Sequence, residues 1–237
     1  MNYKKLALFL VCLHTFITAK PQGRIFTISQ VLDSTYGVEY FERFNPLMGN
    51  DSIRKHEGYA VKGLITDKYA NGQILHKGYY IDGQLRNYTN YYPDGKIERE
   101  FKPLNDIDYQ LIKYYTNKQI KSKIIIRRNQ FLSWTDYYEN GNLELEEIFI
   151  PGTDIYQSKK TGYENGNLES ELLLINKKKF LYYEKNYYPN QQLESKGEKR
   201  YDKNLSGYLK QGKWEFYKED GTLDKTENYL NDQPIEP

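Results

Sequence analysis

Cysteine is almost missing from this chain: Cys12 is the one example in 237 residues. A protein built this way forms no internal disulfide and no thiolate metal site. Tryptophan and methionine number 2 each and histidine 3. His56 and His76 lack metal-ligand spacing with each other or with cysteine. Past the first twenty residues no long apolar run occurs, so nothing later reads as a membrane span. Excess charge of one sign is missing too, with 34 basic residues against 32 acidic ones. That balance leaves no electrostatic footprint for nucleic acid. Tyrosine, by contrast, is abundant, at 25 residues. It favours strands and joins an apolar body to a polar tip. The composition therefore predicts sheets with thin, half-wet faces rather than a large globular core.

The first nineteen residues follow other rules. Lys4 and Lys5 precede LALFLVCLHTFITA, which ends in Thr18-Ala19 ahead of Lys20-Pro21. A basic start, a short apolar run and a small final residue describe a secretory signal peptide over 1–19, cleaved after Ala19. Lipid attachment at Cys12 is disfavoured, because Phe9, Leu10 and Val11 ahead of it lack the small residue such processing uses. Cleavage removes Lys4 and Lys5 and leaves the mature chain neutral. The expected location is outside the cytoplasm, in the periplasm, on the outer surface or secreted.

A phrase recurs along the rest. YYPDGKIE at 91–98, YYENGNLE at 137–144 and GYENGNLE at 162–169 share one register. Taking the glycine as anchor, the equivalent positions are Gly72, Gly95, Lys118, Gly141, Gly166, Gln191 and Gly221. Two residues after each comes Ile or Leu: Ile74, Ile97, Ile120, Leu143, Leu168, Leu193 and Leu223. Three before it comes Tyr69, Tyr92, Tyr115, Tyr138, Tyr163 or Tyr188; the seventh copy reads as slipped by one, at Tyr217. Asn-Gly and Asp-Gly between strand-like runs signal hairpins, whose turns need φ > 0. Alternation such as Ile120, Ser122, Ile124 and Ile126, or Leu168, Ser170, Leu172 and Leu174, places each set on one strand face. Second breakers follow at Asp82-Gly83, Asn105-Asp106, Asn129 and Pro151-Gly152. The predicted fold is all-β: an elongated antiparallel meander of β-hairpin repeats over 58–230, as a single layer or open twisted sheet. Residues 20–57 are expected to cap its open edge, and 231–237, with Pro234 and Pro237, to fray.

Tyr-Tyr-x-Asn-Gly-x-Leu at about this spacing resembles the MORN-variant repeat of YwqK-like bacterial antitoxin proteins. The stretch GKWEFYKEDGTL, Gly212 to Leu223, is similar to the most regular form of that unit. The resemblance implies an elongated, non-enzymatic repeat protein, with an antitoxin or immunity role attached to some members.

The residues themselves show no catalytic pattern. Glu144, Glu146 and Glu147, like Glu169 and Glu171, resemble paired carboxylates, but Glu144 and Glu146 alternate with Leu143 and Leu145 as a solvated sheet face would. No G-x-S-x-G elbow or phosphate-cradling glycine loop occurs. The basic runs Lys121–Arg128 and Lys177–Lys179 read as solvated segments. No enzyme activity and no cofactor are expected. The repeat tyrosines should stack across the sheet as cross-strand pairs. Their neighbours Tyr91, Tyr114, Tyr137 and Tyr187, on the opposite face, form a candidate binding platform. The expected function is a protein-interaction module with a toxin or envelope protein as partner. The alternatives are an envelope-glycan binder or a structural spacer.

Overall fold

The computed structural model describes residues 23–236, so the leader expected at 1–19 lies outside the described residues. Short strands β1 (Ile25–Phe26), β2 (Lys55–His56) and β3 (Tyr59–Ala60) precede the meander. It begins with β4 (Gly63–Tyr69), β5 (Ile74–Ile81), β6 (Gln84–Tyr91), β7 (Ile97–Pro103) and β8 (Asp108–Tyr114). It continues through β9 (Ile120–Arg127), β10 (Gln130–Tyr137), β11 (Leu143–Phe149), β12 (Tyr156–Gly162) and β13 (Leu168–Asn176). It ends with β14 (Leu181–Tyr187), β15 (Leu193–Asp202), β16 (Gly207–Tyr217), β17 (Leu223–Leu230) and β18 (Gln233–Ile235). Among the described residues sixteen strands form one sheet, β1 followed by β4 to β18 in chain order, each from β4 onward paired with the next. This is the open antiparallel meander of hairpins that the repeat pattern describes.

Its turns explain the register. Each anchor closes a three-residue loop, such as Ala70-Asn71-Gly72 between Tyr69 and Gln73. Such loops combine a type I turn with a left-handed third residue. Gly72, Gly95, Gly141, Gly166 and Gly221 have φ between 84° and 91°. Lys118 and Gln191 adopt the same region, at 75° and 70°, despite their side chains. At the other edge Asp82-Gly83, Arg128-Asn129 and Asn231-Asp232 are two-residue turns with φ > 0 at both positions.

Strict alternation fails in every unit, three residues past the anchor. Lys113 pairs with Ser122 and Tyr114 with Ile120, so Lys121 is a bulge; Glu98, Glu144, Glu169 and Glu194 occupy the same place. A bulge lets two residues oppose one and bends the strand. Ser122, Ile124 and Ile126 therefore share one face while Ile120 points to the other, and Leu168 parts from Ser170 likewise. The expected shared faces are corrected at those two residues.

The N-terminal segment does more than cap an edge. β1 adds a parallel strand against Lys68 and Tyr69 of β4. The segment then crosses the sheet face, through a short helix α1 (Ile28–Val31) and two 3-10 turns, Glu42–Phe44 and Pro46–Met48. Val38, Phe41 and Phe44 pack on Tyr80, Leu85, Tyr88, Phe101 and Leu111, and all are buried. The first half of the sheet thus has a real core on what is here called the covered face.

The buried polar groups that cross-link the cover to the sheet are paired, as burial demands. Arg54 clasps Asp67 with two bonds of 2.7 Å and donates to the Tyr80 hydroxyl at 3.0 Å. His76 lies between Tyr80 at 3.0 Å and Asn90 at 2.7 Å, stacked 3.8 Å from Phe41. Asn90 in turn donates to the Val38 carbonyl. The chain's end also departs from expectation: β18 pairs with Asn228–Leu230 instead of fraying. Pro234 is tolerated there because an edge strand needs no outward N–H.

Candidate functional site

The site is built from the repeat turns outward. The tyrosine three residues before each anchor does not stack on its equivalents. Its hydroxyl instead donates to a backbone carbonyl one unit ahead: Tyr69 to Tyr91 at 2.7 Å, Tyr92 to Tyr114 at 2.8 Å, Tyr115 to Tyr137 at 2.7 Å. Tyr138 reaches Gly162 at 3.0 Å, Tyr163 reaches Tyr187 at 2.8 Å and Tyr188 reaches Tyr217 at 2.9 Å. These tyrosines are clamps, not a stacked ladder. A parallel set of bonds runs between the turns. The Asn117, Asn140 and Asn190 amides donate to the carbonyls of Glu139, Glu164 and Glu219, at 2.8 to 3.1 Å.

Every clamp therefore grips the carbonyl of one particular row. Tyr91, Tyr114, Tyr137 and Tyr187 belong to it, at the ends of β6, β8, β10 and β14 on the open face. The structure sets Tyr91, Tyr114 and Tyr137 on successive hairpins. Tyr187 stands apart, because Gly162 takes the intervening place in β12. A side chain there would collide with the Leu143 carbonyl, 2.3 Å from the position a Cβ would occupy. Tyr217 is not a slipped clamp. Lys218 holds the clamp position, with Gly221 bonding its carbonyl, and Tyr217 belongs to the platform row.

The bulges add what the periodicity conceals. By register, Tyr91 pairs with Ile97, Tyr114 with Ile120, Tyr137 with Leu143, Tyr187 with Leu193 and Tyr217 with Leu223. Cross-strand partners share a face. The result is a stripe in which tyrosine and Ile or Leu alternate across the open face, near the anchor turns. Ile97 and Ile120 are each 37% exposed, and Leu223 56%. Ile97 and Tyr114 line a groove of about 460 Å³ together with Asp94, Lys96 and Lys118. These aliphatic residues went unassigned at the sequence level. The left-handed anchor followed by a displaced apolar residue was the signal that could have placed them.

Two residues further along each strand runs a charged row. Continuous register links Lys77, Thr89, Glu100, Ile112, Lys123, Thr135 and Glu146. It continues through Lys160, Glu171, Lys185, Lys196, Glu215 and Thr226. The platform tyrosines lean toward this row. Tyr114 donates to Glu100 at 3.0 Å, Tyr187 to Glu171 at 3.3 Å and Tyr217 to Glu215 at 2.7 Å. Partial burial, then the Glu100 carboxylate, pushes the Tyr114 hydroxyl up to about 12, so it stays a donor at neutral pH. The Tyr217 hydroxyl holds Glu215 down to about 2, so its carboxylate stays ionised. In the second half the row neutralises itself, Lys185 with Glu171 at 3.0 Å and Lys196 with Glu215 at 3.1 Å. Lys77 and Lys123 in the first half form no ion pair among the described residues. Nor do the described residues place three His, Cys, Asp or Glu where they could hold a metal. No described helix is long and apolar enough to cross a membrane.

Comparison with known proteins adds one positive finding. The model of the MORN repeat variant matches residues 133–150 and 210–231. Two stretches of this chain are thus similar to the MORN repeat variant. The matched segments span β10–β11 and β16–β17, each a strand, an anchor turn and a strand. Among curated proteins none matches the chain. A solved protein of unknown function from Bacteroides fragilis is similar at 13% identity, over 67% of this chain and 94% of that one, with a TM-score of 0.17. That likeness is too slight to carry an argument.

Proposed function

We propose that the protein is a non-enzymatic binding module that works outside the cytoplasm and holds a protein partner on its open face. The observation that carries this reading is the tyrosine–aliphatic stripe. Its side chains are not covered by the N-terminal segment, and the clamps use only the backbone carbonyls beneath them. A row of half-exposed aromatic and aliphatic side chains beside ordered charges is the composition of an interaction surface. MORN-type repeats suit such a role, because a stack of hairpins presents one side chain per unit at constant spacing. The leader pattern at 1–19 supports export. The resemblance of the repeat phrase to that of YwqK-like proteins favours, among envelope proteins, a toxin as that partner, with this chain as an immunity component.

The test is the double variant Tyr114→Ala/Tyr137→Ala. Wild-type protein is expected to retain a protein from an envelope extract, and the variant to lose it with an unchanged far-UV circular dichroism spectrum. Equal retention by both would refute the assignment to this face. Retention of insoluble glycan instead of protein would replace the partner class.

A further inference from the structure

The open face also carries a period, and a period selects a shape of partner. We infer that the surface over β5–β11 accepts a proline-rich segment in the polyproline II conformation, with charges alternating in sign along one of its edges. This rests on the open face being the binding surface.

The argument begins with spacing. Tyr91, Tyr114 and Tyr137 recur every second strand, which sets them about 9.4–9.8 Å apart at the usual inter-strand distance. A polyproline II helix advances about 9.3 Å per three-residue turn. Across the two intervals the mismatch stays near 1 Å or below. An α-helix returns to the same face after seven residues, or about 10.5 Å, and drifts out of register faster. An extended β-strand shows every second residue to one face, at about 6.6–6.8 Å, and misses the period altogether.

The cross-section agrees. Three residues per turn give a triangular prism, two of whose edges can touch a surface while the third points away. The open face offers two parallel rows for those edges. On the first, prolines would fall between tyrosine rings, over Ile97 and Ile120, as aromatic-lined grooves hold such helices. On the second stand Lys77, Glu100, Lys123 and Glu146, again every second strand. Their signs alternate plus, minus, plus, minus at the period of the tyrosines. Lys77 and Lys123 have no acidic partner among the described residues, and Glu100 receives only the Tyr114 hydroxyl. A complementary segment therefore presents an acid, a base and an acid at three-residue intervals. A preformed polyproline II helix loses little conformational freedom on docking, which suits a shallow surface. The surface ends where Gly162 interrupts the tyrosine row and where Lys160 begins to neutralise Glu146, at 3.7 Å.

The experiment uses the mature chain and three synthetic twelve-residue peptides, titrated calorimetrically at low salt. The first carries proline at every third position, and Glu, Lys, Glu at three-residue steps. The second exchanges Glu and Lys, and the third keeps the first composition in shuffled order. The first is expected to bind, the others at least roughly tenfold more weakly. Tyr114→Ala should weaken the first peptide by a similar factor without changing the circular dichroism spectrum. Equal binding of all three, or binding by none, overturns the inference. In either case, if Tyr114→Ala/Tyr137→Ala still loses the envelope partner, the open face remains the binding surface and only the polyproline assignment falls.

Discussion

Removing single hydroxyls from the clamps should reveal how the units are joined. Tyr115→Phe deletes a 2.7 Å bond to the Tyr137 carbonyl, and Tyr163→Phe a 2.8 Å bond to the Tyr187 carbonyl. Both rings remain, so almost no apolar burial is lost, and the effect is that of the hydrogen bond. A neutral intramolecular hydrogen bond contributes about 0.5–1.5 kcal/mol net, and leaving its acceptor under-satisfied keeps the loss in that range. Each variant should therefore lose about 1 kcal/mol. The two sites sit two units apart and share no partner, so the double variant should lose about 2 kcal/mol. Urea melts followed by circular dichroism would read this as lower midpoints with an unchanged slope. The clamps also hold the backbone of the platform tyrosines, so the same variants should weaken a partner without touching the contact surface. Wild-type midpoints for both single variants would refute the reasoning. The ring alone would then account for tyrosine at that position.

Two further outcomes follow from backbone strain and from burial. Lys118 sits at φ 75°, where a Cβ costs about 1 kcal/mol, so Lys118→Gly should stabilise by about 0.5 kcal/mol after the added freedom of the unfolded chain. Gly141→Lys should cost about 1 kcal/mol or more, because the new Cβ would also meet the Gln119 side-chain oxygen at 2.6 Å; a lowered urea midpoint for Lys118→Gly would contradict both. Burial pushes the His76 imidazole from 6.5 down to about 4. The unfolded chain then takes up the proton first, so this contribution is complete above about pH 6.5 and declines as pH falls toward 4, by about 3 kcal/mol in all. His76→Gln should show a smaller fall in urea midpoint between pH 7 and 4.5 than wild type, and parallel curves would exclude His76 as the cause.

The hairpins were legible because their cause is local. A left-handed position every 23 to 30 residues fixes a turn regardless of its surroundings, and even Lys118 and Gln191 obey it. What lay hidden depends on register or on distant chain. No local pattern marks Asp67, His76, Asn90 and Arg99 as buried; the N-terminal segment covers them, and its four-residue helix leaves no periodic trace. Tyr217 reads as a slipped clamp in the sequence because residue type alone does not show the hydrogen bonds around the turn. The platform tyrosines were placed in one row from their spacing alone, whereas the aliphatic residues between them needed the bulge. One contrast among the anchors is physical in the same way. Gly141, Gly166 and Gly221 lie beneath an amide of the preceding unit, within 2.6 to 3.1 Å of where a Cβ would stand. Lys118 follows Lys96, which has no such amide, and Gln191 follows Asn167 but donates to its side-chain oxygen, so a side chain is admitted at both anchors.

Both linking bonds run forward, from a unit to the one that follows, and never back. An array joined this way has a direction, and it can be extended at its end as long as the last unit still carries something to give. The seventh does not. At Lys218 it lacks the tyrosine hydroxyl, and at Asp220 it lacks the asparagine amide. Asp220 spends its carboxylate on the backbone and hydroxyl of Thr222 within its own turn. Among the described residues the seventh unit is thus held by the sixth, through Tyr188 and Asn190, and returns no bond of either kind, so the polarity of the array is carried by side chains as well as by the order of its strands.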